Sequence, residues 1–328
     1  MTTGGGRLEV VAPEGVGEVT AGTDLAHLLL AHTELRDGDI VSVTSKVVSK
    51  AEDRRREGTR EEALPGETVR VVARRGETTI ARNRLGLTMA AAGIDASNVE
   101  QGHVLLLPED PDASARTIRE AVLDRTGANV GVLVTDTAGR PWRDGQTDIA
   151  IGAAGLRVAE DFSGRVDGHG NPLLVTAPAV ADELAGAAEL SSGKLGGRPF
   201  AVIRGRADLV LTAGEHGTGA RVLVRPDGGD MFGFGSREAV VAALARRDAA
   251  VFGSPALAAD LAIAIDEVLS SPVDIETSDD LVSTYLSAPY DDELSALGTV
   301  AFAFGWTLEI DPVDGPSGID LRFRPGCP

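Results

Sequence analysis

The sequence predicts a mixed α/β (α+β) fold followed by a small acidic α/β module. Three observations lead there. Runs such as "DIVSVT" and "NVGVLVTD" are β-branched and apolar, as buried strands are. Segments such as "TIREAVLDRTG" carry apolar residues at 3–4 spacing, as helices do, and the two kinds alternate too unevenly to compel a regular doubly wound sheet. The charge is also lopsided: of a net −19, the stretch from Ala250 to Pro328 holds fourteen acidic residues against two arginines. The expected domains are therefore 1–247 and 248–328.

In chain order, "RLEVVAPEG" opens as a strand, and "TDLAHLLLAHT" is a helix with Thr23 or Asp24 as its cap. "GDIVSVTSKVVSKAED" begins as a strand and ends in a polar Ser-Lys turn. "EDRRREGTREE" reads as a charged loop, and "ETVRVVARR" fits strand or helix. "LGLTMAAAGIDASNVE" is a small-residue segment ending in a polar turn, and "HVLLLPED" is a buried strand. "DPDASARTIREAVLDRTG" is the clearest helix, with Asp or Ser caps and a glycine stop. "ANVGVLVTD" is a strand, and "PAVADELAGAAELSSGK" is a helix with Pro178 near its first turn. "RPFAVIRG" and "ADLVLT" are strands, and "SREAVVAALARR" is a helix that closes the first module. Beyond it come the helix "ALAADLAIAIDEVL" and a strand pair, "VAFAFGWTLEI" and "IDLRFR", joined by a turn-rich "DPVDGPSG".

Composition excludes several function classes. The acidic balance argues against a general nucleic-acid binder. No apolar run reaches membrane-spanning length and no signal peptide opens the chain, so a cytoplasmic protein without membrane contact is expected. The single cysteine, Cys327, rules out an internal disulfide and a cysteine zinc site. No Gly-x-Gly-x-x-Gly turn or P-loop is present. Of 31 basic residues only Lys46, Lys50 and Lys194 are lysine. An arginine bias of this kind reflects a GC-rich genome, and the lysines that remain fit places needing a compact ammonium, as phosphate binding does.

Three polar turns follow apolar segments: "TSKVVSK", "GIDASN" and "TDTAGR". Strand ends are where α/β proteins place ligands. Asp95 and Asp136, with the Thr137 hydroxyl, form a hard oxygen set of the kind Mg²⁺ or Mn²⁺ prefers. Lys46 and Lys50 suit phosphate oxygens, and Asn98 suits a base, ribose or phosphate. Each has a plainer reading. Asp95 before Ala-Ser-Asn is equally an Asx-turn, Asp136 a turn cap, the two lysines surface charges, "SSGKLG" a helix stop and Trp142 a core aromatic. His169 fits a surface turn, and His27 and His32 fit helix faces.

Taken together and in order, "LRDGDIVSVTSKVVSKAED", "ARNRLGL", "AAGIDASNVE", "LLPEDPDASA", "GVLVTDTAGRPWRDGQTDIAIGAAGL" and "VADELAGAAEL" closely resemble the coenzyme F-420-0:L-glutamate ligase (γ-glutamyl ligase) family. The match runs from about Leu8 to about Arg247. The resemblance implies an unusual mixed α/β fold in an intertwined homodimer. It also implies an enzyme that uses GTP to add L-glutamate to coenzyme F-420-0, then γ-linked glutamates to the growing tail. Mg²⁺ or Mn²⁺, and a monovalent cation, are the implied ions. On this basis Asp95 and Asp136 are ligands of one metal and Thr137 of a second. Val16, Gly17, Glu18, Val19, Ser45, Lys46, Lys50, Asn98, Ser192, Gly193, Lys194 and Leu195 fall on GTP-contacting positions. Asp95, Asp136 and Lys50 are the expected catalytic residues, and Arg140 and Arg143 are expected substrate anchors. One departure stands out: where some relatives carry an acidic metal ligand, this chain has Lys194, which cannot ligate a cation. The alternatives are a ligase of the same fold with another acceptor or amino acid, and a nucleotide-binding scaffold whose acidic module recruits partners. That module is too short for the nitroreductase-like domain fused to some bacterial relatives.

Overall fold

The computed structural model describes residues 6–97, 99–287, 291–312 and 318–326. Asn98 and Cys327 lie outside them. By compactness the chain divides into Met1–Val71 with Gly76–Val224, and Val72–Arg75 with Arg225–Pro328. The helix expected to close the first module thus belongs to the second unit. Among the described residues no helix is long and apolar enough to cross a membrane.

The first unit runs β1 (Glu9–Val11), α1 (Leu25–Leu30), β2 (Ile40–Thr44), α2 (Ser45–Ala51), β3 (Arg55–Glu57), α3 (Arg60–Glu67), β4 (Thr68–Arg75, its last four residues counted with the second unit), β5 (Thr78–Asn83), β6 (Thr88–Ala90), β7 (His103–Leu105), α4 (Pro111–Thr126), β8 (Gly131–Arg140), β9 (Arg143–Ala154), α5 (Val180–Ser192) and β10 (Phe200–Arg204). Its central sheet has the order β1-β10-β2-β8-β9. Only β2 and β8 pair in parallel; the other neighbours are antiparallel. Alternation along the strands explains the layers. Val41, Val43, Val132 and Val134 face α1 and α4, packing on Leu25, Leu29, Ile118 and Val122. Ile40, Leu133, Ala153 and Ile203 face α5, packing on Val180, Ala181, Leu184 and Ala188.

α4 forms where its caps predict. Asp110 accepts from the Ala113 N–H, Pro111 opens the first turn, and Gly127 at φ 76° ends it. Arg119, on the inner face of α4, is buried. Its guanidinium donates to the carbonyls of Val130, Leu211, Thr212 and Glu215 and to Asn129 Oδ1.

Several expectations are corrected. "SKVVSKA" is a helix rather than a turn, held because Val47 and Val48 bury themselves against the core. The charged loop contains β3 and α3, the latter started by a Thr59–Glu62 capping box. "ADLVLT" is a 3₁₀ turn with Leu209 buried, and only Val210 makes a bridge, to Leu156. "GRPWRDGQTD" is the tip of a long β8–β9 hairpin, and Trp142 at its turn is 78% exposed rather than in the core.

The second unit adds α6 (Ser236–Leu244), α7 (Ala249–Phe252), α8 (Ala258–Val268), β11 (Ile275–Ser278), β12 (Leu281–Leu286), α9 (Asp291–Ala303), β13 (Trp306–Pro312) and β14 (Ile319–Pro325). Its sheet is antiparallel in the order β11-β12-β14-β13. Leu261, Ile265, Val282, Leu297, Trp306, Leu321 and Phe323 form its core. "VAFA", read as strand, ends α9, so the pairing with β14 begins only at Trp306.

Candidate functional site

The site forms at the end of β2, where its parallel partner β8 runs on past Thr135 into the hairpin with β9. β2 passes directly into α2, which carries Ser45 and both lysines of "TSKVVSK". Val47 and Val48 point inward, and Lys46 and Lys50, four residues apart, share a helix face. Ser45 Oγ donates to Asp136 Oδ1 on β8 at 2.7 Å. Asp136 follows a bulge: the β8–β9 register shifts between Val134 and Thr135, leaving Ile151 of β9 without a partner. Bulges of this kind re-aim side chains at the rims of sites.

Asp95 lies just past a short 3₁₀ turn and bridges Leu105 through its backbone. Its Oδ1 accepts from the Ser97 N–H at 2.7 Å, which is the Asx-turn. Its Oδ2 meets Lys46 Nζ at 2.7 Å, so turn and site are one arrangement. Lys46 also donates to the Ser97 hydroxyl at 2.7 Å and carbonyl at 3.1 Å. Lys50 Nζ pairs with Glu18 Oε1 at 2.5 Å.

The third lysine reaches the same place from the far helix. α5 stops at Gly193, whose φ of 62° turns the chain so that Lys194 points back. Lys194 Nζ lies 2.7 Å from Thr137 Oγ1, 3.1 Å from Asp148 Oδ1 and 2.8 Å from Glu189 Oε1. Asp148, opposite Thr137 on β9, is 5% exposed and accepts from the Thr137 hydroxyl at 2.8 Å.

The electrostatics separate these acids. Burial pushes Asp95 up, but the Lys46 ammonium and the Ser97 N–H and hydroxyl outweigh it and hold the carboxyl below its ordinary value. Burial lowers Lys194, but Glu189 and Asp148 reverse this and raise it. Asp136 goes the other way, to about 6, first through burial and then through the charges of Asp148 and Asp95; the Ser45 hydroxyl and Thr137 N–H oppose this only in part. Among the described residues Asp136 has no ion pair. It is the carboxylate here that a cation would relieve. No three carboxylate, imidazole or thiolate groups among the described residues form a ready metal shell. Any cation would draw on Asp136 and Asp95 and on oxygens from outside the chain, since the Thr137 hydroxyl is engaged by Lys194 and Asp148.

The other expected residues are placed as follows. Val19 is a core residue with Val16 packed beside it, whereas Glu18 faces Lys50. Ser192 is buried at the end of α5 and Leu195 is fully exposed. Asn98 falls outside the described residues. Arg140 and Arg143 sit opposite each other at the exposed hairpin tip, where Arg140 donates to the Asp144 carbonyl at 2.6 Å. Four residues of strand put Arg140 about 13 Å along β8 from Asp136. Sequence reasoning did not single out Glu189, Ser97 or Asp148 as site residues. No local pattern marks Asp148 and Glu189, because strand register and the Gly193 turn bring them in, whereas Ser97 enters through the Asx-turn of Asp95.

A model of the family described as F420-0:Gamma-glutamyl ligase matches residues 15–67 and 59–205. The chain belongs to the F420-0:Gamma-glutamyl ligase family. It is 41% identical over 219 residues to the coenzyme F420:L-glutamate ligase of Archaeoglobus fulgidus, covering 61% of this chain and 88% of that relative. It is 37% identical over 237 residues to the enzyme of the same name in Methanopyrus kandleri, covering 66% and 93%. With that of Methanothermobacter thermautotrophicus it shares 34% over 251 residues, covering 69% and 98%. The family match ends before the second unit's main segment begins at Arg225.

Proposed function

We propose that this γ-glutamyl ligase family member uses GTP to join L-glutamate to the carboxylate of coenzyme F-420-0 and then extends the tail by γ-linkages. One observation carries the reading. Lys46 and Lys194, two of the chain's three lysines, converge on the end of β2 and the adjoining stretch of β8 around a half-buried carboxylate, Asp136, that has no ion pair among the described residues, and Lys50 shares the helix face of Lys46. That set suits a polyphosphate and a cation.

The step follows from the chemistry. A carboxylate does not react with an amine until one of its oxygens becomes a leaving group. Its oxygen attacks the γ-phosphorus of GTP, the bond to the bridging oxygen breaks, and GDP leaves. The glutamate amine then attacks the carbonyl carbon of the acyl phosphate, losing a proton as inorganic phosphate departs. Phosphoryl transfer needs positioning and charge neutralisation more than a protein nucleophile. Lys46 and Lys50 are set to bind phosphate oxygens from one helix face, and Ser45 orients Asp136. Asp136 and Asp95 would hold a Mg²⁺ or Mn²⁺ ion, which supplies charge neutralisation when bound. Arg140 and Arg143 are set to grip an anionic substrate group at the hairpin tip. Working as a homodimer is part of the proposal.

Incubating the purified protein with GTP, Mn²⁺, L-glutamate and coenzyme F-420-0 tests the reading. The expected result is a product heavier by one or more glutamyl groups, with stoichiometric GDP. Folded protein that neither binds GTP nor forms that product would refute it.

A further inference from the structure

We propose that this site takes one divalent cation, at Asp136, and that the Lys194 ammonium permanently fills a second cation position beside it. The inference rests on the ligase reading above. An ammonium has three protons. Here three oxygens from three elements surround it: Thr137 Oγ1 of β8, Asp148 Oδ1 of β9 and Glu189 Oε1 of α5. A hydroxyl and two carboxylates, one of them almost fully buried, would otherwise be a hard-oxygen pocket for a metal ion. A cation entering that pocket must first expel Nζ from all three partners.

Asp136 offers the opposite situation. It is flanked by Asp95 and Asp148, each already matched to an ammonium, and has no ammonium of its own among the described residues. Charge gives the same answer. Glu18, Asp95, Asp136, Asp148 and Glu189 face Lys46, Lys50 and Lys194, so five carboxylates meet three ammoniums. The residue of two negative charges is what one divalent ion neutralises. A fixed ammonium also differs from a metal in function: it cannot be chelated away, and it is present before nucleotide arrives.

The test counts bound Mn²⁺ per full-length chain, reading free Mn²⁺ by electron paramagnetic resonance in a titration with saturating GDP. The wild type is expected to bind one. Lys194→Ala and Lys194→Gln, which empty the pocket, are expected to bind two, and Lys194→Arg, which keeps the charge, one. A wild-type count of two overturns the proposal, as does a count of one in a folded neutral variant. A wild-type count of zero also overturns it, together with the metal assignment to Asp136. Should neither neutral variant fold, the wild-type count decides alone. The ligase reading stands or falls separately, on the glutamyl mass increment from the same preparation.

Discussion

Asp136→Asn should make the metal-free protein more stable while removing its activity. The carboxyl is raised from its ordinary 3.8 to about 6, mainly by burial. At 1.36 kcal/mol per unit, ionising it in the folded state costs about 3 kcal/mol, a ceiling because solvent reaches part of the group. The sign follows from proton linkage. The folded state holds this proton to higher pH than the unfolded chain does, so stability falls as pH rises from about 4 through about 6. The penalty is absent below that window and complete above it. Asparagine removes the charge, and its Oδ1 can still accept from Ser45. In EDTA, Asp136→Asn should therefore exceed the wild type by up to about 3 kcal/mol at pH 7.5, with the gap closing near pH 4. Urea unfolding of the first unit at both pH values measures it. Adding Mn²⁺ closes most of the gap: the wild type gains about 2.7 kcal/mol at a hundred times its dissociation constant, and the variant gains nothing. A variant less stable than wild type at pH 7.5, or a gap independent of pH, would refute the argument.

Other substitutions separate binding, chemistry and fold. Asp136→Ala should abolish metal-dependent GTP turnover with an unchanged circular dichroism spectrum; full retained activity would remove Asp136 from the site. Lys46→Ala should weaken GTP binding by about 10–100-fold, the loss of a charge-assisted contact worth about 1.5–3 kcal/mol, as read by calorimetry. Arg119→Met strands the carbonyls of Val130, Leu211, Thr212 and Glu215 and should lower unfolding free energy by about 3–5 kcal/mol. A loss under about 1 kcal/mol would show that water replaces the guanidinium.

How far the sequence could be read depended on how local each signal was. α4 was legible because its aspartate cap, apolar spacing and glycine stop lie within one segment. The strand half of "DIVSVTSKVVSK" was legible for the same reason. The helix half was hidden, since Val47 and Val48 are β-branched and so short a helix stands only through tertiary burial. α3 carried a readable signature, Thr59 three residues before Glu62, that the surrounding charge obscured. The outer half of β8, "TDTAGR", looked like a turn because burial fades from Thr135 to Arg140 without alternating. In the site, Asp95, Asp136 and the lysines were legible as residue types. Their pairing was not, because the partner of Lys194 on β9 depends on a register shift and the one on α5 on a left-handed glycine.

That pairing explains how an acidic protein can present ammoniums to a polyphosphate. A free lysine side chain carries about 2 kcal/mol of rotamer entropy that phosphate binding would have to overcome. Here Glu18, Asp95, Asp148 and Glu189 have already fixed the three ammoniums in the folded state. The acids therefore place positive charge before any ligand arrives, and three of their four negative charges are neutralised by the lysines they place. The arrangement works only if the carboxylates are not in excess where the phosphates lie. Asp136 and the one charge left between Asp148 and Glu189 are that excess, and the elevated proton affinity of Asp136 reports it. Under the proposed function, the residue least comfortable in the site is thus the one on which cation binding, nucleotide binding and the pH dependence of stability would all converge.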